Sequence, residues 1–142
     1  KGAHEALEEV RIDLMKARTV RGIDYFVDRL TAFHEPMEVL ALAGSQLKPQ
    51  ELSATKRAEL EKAYVEARVL WRGIERHLPD ARAYALDEAR AAQFAKGVAD
   101  EGAALSALSG ALRSGDNAAV LKAASAIKPP FARAFTAFGQ GR

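Results

Sequence analysis

Apolar residues recur along most of the chain at alternating steps of three and four, the spacing that places them on one face of an α-helix. Glycine, proline or a cluster of turn residues interrupts the pattern four times. The predicted helices span about residues 3–21, 24–44, 53–78, 87–114 and 116–139. Segments 45–52 and 79–86 carry no such period and are predicted to be connections.

The ends of these helices carry recognisable capping residues. Predicted N-caps, whose side-chain oxygens accept backbone N–H groups, are Asp24, Ser53 or Thr55, Asp87, and Asp116 or Asn117. Glycine tolerates the left-handed residue that closes many helices, and predicted ends lie at Gly22, Gly44, Gly115 and Gly139. The first two helices are therefore expected to form an antiparallel hairpin that turns at Gly22.

The clearest inward stripes belong to the third and fifth helices. In the third helix the stripe comprises Leu60, Tyr64, Ala67, Trp71, Ile74 and Leu78. In the fifth it comprises Val120, Ala124, Ile127, Phe131, Ala134 or Phe135, and Phe138. Large apolar side chains at helical spacing are usually core residues, although Phe131, Phe135 and Phe138 would also suit an apolar ligand pocket.

Two segments resemble each other at an offset of 94 positions, which aligns Phe33 with Ile127 and Pro36 with Pro130. Each would be a helical hairpin bent by its proline at the same height. Coincidence among alanine-rich helices is the alternative explanation. In either case the pattern predicts an all-α, up-and-down bundle of four to five helices.

Composition supports one helical domain over residues 1–142. The chain has 30 alanines, and aromatic residues make up 7% of it; alanine favours helix because it loses no side-chain entropy there. A net charge of +2 with interspersed signs argues against nucleic acid as a partner. The absence of cysteine excludes disulfides, thiolate metal sites and CxxCH haem attachment.

No apolar run approaches the roughly 18 residues that a membrane span needs. The chain begins with lysine rather than methionine. A removed signal peptide would explain this and would indicate a periplasmic or secreted protein. A cloning boundary is the alternative.

Two histidines share one pattern, because His4 precedes Glu8 and His34 precedes Glu38 by four positions. Residues four apart share a helix face, so each pair offers an imidazole and a carboxylate together. In a hairpin turning at Gly22, both pairs would stand at similar heights. They form a candidate site for a single Zn, Cu or Fe ion, whereas ordinary solvated helix surface is the alternative.

Glu101 interrupts an inward apolar stripe on the fourth helix. A buried carboxylate is costly unless it is paired. Gly97, Gly102 and Gly110 lie nearby, and glycine in a helix indicates close backbone approach or room for a ligand. A pairing with arginine, or exposure at the bundle edge, is the alternative for Glu101.

The C-terminal hairpin and the first helix carry a family resemblance. The matching residues are the segment 94–98, the turn 114–116, Ile127 and Lys128, and Leu7, Val10 and Leu14. These segments resemble the cytochrome b562 and cytochrome c-prime class of periplasmic four-helix bundles. The resemblance implies the bundle fold and a periplasmic location. It also places Leu7 and Phe135 where the family has its axial methionine and histidine, which implies that no haem is bound there.

No GxSxG, P-loop, dinucleotide fingerprint or HExxH motif occurs, so enzyme activity is the less favoured class and no cofactor is expected. The sequence favours a non-enzymatic bundle that binds a partner protein or a small apolar ligand, with a cavity lined by Phe131, Phe135 and Val98. A metal-handling bundle is the second hypothesis. A homodimer is the third, with Leu60, Tyr64 and Trp71 buried only in the assembly.

Overall fold

A computed structural model describes residues 26–78 and 86–139, and within these ranges the chain is an all-α helical bundle. The helices are α1 (Phe26–Gln46), a 3-10 turn (Pro49–Glu51), α2 (Ala54–Arg76), α3 (Glu88–Ser114), α4 (Asn117–Ser125) and α5 (Lys128–Gly139). The fold class predicted from the sequence is confirmed. The helix predicted over residues 3–21, and with it His4, Leu7 and Glu8, lies outside the described residues.

Three predicted N-caps are confirmed. The Ser53 side chain accepts a hydrogen bond from the Lys56 backbone N–H at 3.2 Å, and Asp87 accepts one from Arg90 at 2.8 Å. Asp116 accepts from the N–H groups of two successive alanines, at 3.0 and 3.3 Å. Gly115 closes α3 with φ of 76°, a left-handed conformation that glycine adopts without steric cost. These local signals set the boundaries of α2, α3 and α4.

The predicted fifth helix is wrong as a single element, because the chain breaks at Ala126 and Ile127 into α4 and α5. Pro129 and Pro130 lack the N–H groups that would continue the helix, and their rings crowd the carbonyls four residues earlier. A proline is tolerated in the first turn of a helix, and here both prolines lie in the first turn of α5. Pro36, by contrast, lies inside the unbroken α1.

The core is one continuous cluster shared by the helices. Helix α1 packs against α2, α4 and α5, and α3 packs against α5, α4 and α2. An aromatic cluster of mutually tilted rings lies in this core: the Phe33 ring centroid is 4.7 Å from that of Trp71 and 5.4 Å from that of Phe131. Phe33 of α1 and Phe131 of α5 therefore bring these two helices into direct contact in the core.

The inward stripe predicted for α2 is largely confirmed. Leu60, Trp71 and Ile74 are buried. Leu78 is an exception: it is exposed because α2 ends at Arg76, before the stripe reaches it. Since Leu60 and Trp71 are buried within a single chain, the expectation that a dimer alone would bury them is wrong.

Small residues let two helix pairs approach closely. A Cβ built on Gly97 of α3 would lie 2.8 Å from the Cβ of Ala134 in α5. A Cβ on Gly44 of α1 would collide with the backbone of α4 at Ser125. The predicted role of glycine in close backbone approach is confirmed at Gly97.

Candidate functional site

A groove of about 220 Å³ opens between α1 and α5. Its described lining residues are Thr31, His34, Met37, Lys128, Phe131, Ala132, Phe135 and Thr136. Half of these side chains are apolar, and the polar ones lie among them. Apolar concavities with a few polar groups are the usual form of small-molecule sites.

Helical spacing explains why these side chains meet. The α1 contributors follow one another at steps of three, and the α5 contributors at steps of three, one, three and one. The lining residues of α1 therefore share one face of α1, and those of α5 share one face of α5. The break makes α5 a separate helix, and the groove residue Lys128 is its first residue.

The Glu38 carboxylate links the two helices at the edge of the groove. Its Oε2 lies 3.3 Å from Nε2 of His34, one turn earlier on α1, and its Oε1 lies 3.1 Å from Nζ of Lys128 on α5. The ring centroid of His34 lies 6.0 Å from that of Phe131. His34 and Lys128 thus stand at the groove with one carboxylate between them.

Half of the predicted metal site can be located. The structure brings His34 and Glu38 together as their spacing predicts, while His4 and Glu8 lie outside the described residues. Within residues 26–78 and 86–139, no three His, Cys, Asp or Glu side chains cluster closely enough to hold a metal ion. The metal site therefore stays a prediction, and Lys128 competes with a cation for the Glu38 carboxylate.

The predicted phenylalanine stripe faces both core and groove. Phe131 is buried and Phe135 is half-buried, and both line the groove. Val98, the third residue expected in the cavity, is instead buried in the core and is not among the described lining residues. Thr31, Ala132 and Thr136 are not candidate site residues in the sequence analysis, although Thr31 lies three positions before His34, and Ala132 and Thr136 follow Lys128 at steps of four.

Glu101 occupies the inward position that the sequence predicts, and it is fully buried. Neither carboxyl oxygen has a hydrogen-bond partner among the described residues. Burial raises the pKa of Glu101 to about 9, and the charge of Arg133 opposes this shift only in part. Glu101 is therefore a neutral carboxylic acid at pH 7.

Comparisons with protein-family models, curated proteins and solved structures found no match. No helix within residues 26–78 and 86–139 is both long and apolar enough to cross a membrane.

Proposed function

We propose that this chain is a non-enzymatic binding module that holds a small apolar ligand in the groove between α1 and α5. One observation carries the proposal: Met37, Phe131 and Phe135 line a concave opening between two helices, where the half-buried Phe135 and the exposed Ala132 leave apolar surface in contact with solvent. Core side chains normally fill such space. An apolar ligand would remove this surface from water, which supplies the driving force for binding.

The size of the groove limits the ligand. An apolar cavity of about 150 Å³ is known to hold benzene, and the groove measures about 220 Å³. It therefore suits a single substituted ring or a short alkyl chain. Binding buries only part of such a ligand, because the groove is open on one side.

A neutral probe tests this function without involving charge. Phenylpropionamide, titrated calorimetrically into the protein, should bind at one site. Ala132 lines the groove and is exposed, so Ala132→Trp should fill the groove without disturbing the core. We expect this variant to lose binding by at least about tenfold.

The matched control is Ala95→Trp, which adds the same side chain at an exposed position on α3, away from the described lining residues. It should bind the amide as the wild type does. Equal thermal stability of the two variants establishes that the fold is intact. Failure of the wild type to bind, or equal binding by Ala132→Trp, contradicts the proposed function.

A metal-handling bundle is the second candidate, and the 3.3 Å approach of His34 Nε2 to Glu38 Oε2 favours it. Zn, Cu or Fe would accept such nitrogen and oxygen ligands. A partner protein in place of the small ligand, a periplasmic or secreted location, and kinship with the cytochrome b562 class are likewise proposals. The last two rest on the sequence resemblance.

A further inference from the structure

We propose that the ligand of the α1–α5 groove is a small apolar monocarboxylate, whose anionic group binds Lys128 while its apolar body lies against Phe131 and Phe135. This inference rests on the proposed function and specifies the chemical class of its ligand. It follows from the distribution of charge around the groove and from the chemistry of the first turn of α5.

Charge among the described lining residues has one sign, and the acidic partner of Lys128, Glu38, lies at the edge of the groove. Lys128 is the one fully charged side chain among the described lining residues, and none of those residues is acidic. The remaining polar groups are the His34 imidazole and the hydroxyls of Thr31 and Thr136. An anion is therefore complementary to Lys128, whereas an ammonium ligand would have to displace Lys128 before it could pair with Glu38.

The hydroxyl of Thr31 is not available as a free donor. It donates to the backbone carbonyl of Val27 at 3.0 Å. The start of α5 also offers little to an anion, since Pro129 and Pro130 have no N–H groups. Beside the His34 imidazole and the Thr136 hydroxyl, the Lys128 ammonium is the lining group that combines a positive charge with three donors, and it is assigned the head group.

Glu38 holds this ammonium in the absence of ligand. The Lys128 Nζ lies 3.1 Å from Glu38 Oε1, and the side chains of Lys128 and Glu38 are 54% and 27% exposed. Ion pairs at this exposure contribute little to stability, usually less than about 1 kcal/mol. An incoming carboxylate can therefore share or replace Glu38 at modest cost, and Glu38 is a competitor of the ligand.

The test compares phenylpropionate with its uncharged amide at pH 7 and low salt. We expect the carboxylate to bind the wild type about threefold to fivefold more tightly, the effect of one half-exposed ion pair. High salt should reduce this preference, because mobile ions screen exposed charges.

Variants assign the preference to Lys128. Lys128→Met replaces the ammonium by an apolar side chain of similar length, but it removes the ion-pair partner of Glu38. The decisive variant is therefore the double replacement of Lys128→Met with Glu38→Gln. The double variant should bind acid and amide equally. Glu38→Gln alone should tighten binding of the acid and leave the amide unchanged. Lys122→Met, at an exposed lysine of α4 outside the described lining, should keep the wild-type preference.

The possible failures are distinguishable. If neither compound binds the wild type, both this inference and the proposed function are wrong. If both bind with equal affinity, or if the double variant keeps the preference for the acid, the carboxylate inference alone is overturned.

Discussion

Replacing Glu101 by glutamine should stabilise the folded chain, and the gain should grow as the pH rises. The carboxyl group is fully buried without a partner among the described residues, and its pKa rises from 4.5 to about 9. Glutamine has nearly the same shape as the neutral acid and does not ionise. The variant thus removes a proton-linked cost that only the wild type bears.

The direction of this pH effect on the free energy of unfolding follows from the protonation of Glu101 in the folded and unfolded chain. Below pH 4.5 the carboxyl is neutral in both the folded and the unfolded chain, and no cost arises. Between pH 4.5 and about 9 the unfolded chain is ionised while the folded chain holds the proton. Each pH unit in this window then lowers the free energy of unfolding by about 1.4 kcal/mol, or about 3 kcal/mol in all at pH 7. Above about pH 9 the cost stops growing.

Urea denaturation of wild type and Glu101→Gln at pH 5, 6, 7 and 8 measures this effect as a difference in unfolding free energy. Glu101→Met should give the same slope with pH, although its absolute stability will differ because of packing. Glu66→Gln, at an exposed position of α2, controls for the loss of one formal charge. Parallel curves for wild type and Glu101→Gln across this range would show that Glu101 does not ionise differently on unfolding.

Gly97→Ala should destabilise the bundle, while the identical change at Gly110 on the same helix should stabilise it. An added Cβ at Gly97 would lie 2.8 Å from the Ala134 Cβ and 3.0 Å from the Ala134 backbone nitrogen, whereas nothing lies within 4 Å of one at Gly110. Overpacking against a rigid neighbour costs about 1–3 kcal/mol. Replacing glycine by alanine in an open helix gains about 0.5–1 kcal/mol.

Urea midpoints of the two variants and the wild type measure this contrast. Because the substitution and the helix are the same, propensity cancels and the remaining difference reports on α3–α5 packing. A stabilising effect at both positions would contradict the close approach of these helices.

Local features of the fold were predictable because they are encoded by neighbouring residues. Ser53, Asp87 and Asp116 cap helices through bonds that span two or three residues. The break between α4 and α5 was missed for a physical reason. Val120, Ala124, Ile127 and Phe131 all remain buried across it, so the helical period of the apolar residues passes through the break unchanged.

The groove depends on contacts that spacing does not encode. His34 and Phe131 were each singled out from sequence, but their proximity requires α1 and α5 to pack together. The ion pair of Lys128 with Glu38 joins residues 90 positions apart. Arg57 similarly donates to the carbonyl of Leu112 at 2.6 Å and to Asn117 Oδ1 at 3.0 Å, tying α2 to the turn between α3 and α4. Single-sequence patterns carry no information on such pairings.

The most direct test of the binding site is an NMR titration of the wild-type chain with phenylpropionate, following backbone amide shifts. We expect saturable shifts that cluster on the facing sides of α1 and α5, at Thr31, Met37, Ala132 and Thr136. Exposed α2 positions such as Val65 should not shift. Shifts centred on another surface, or none up to millimolar ligand, would contradict the assignment of the groove as the functional site.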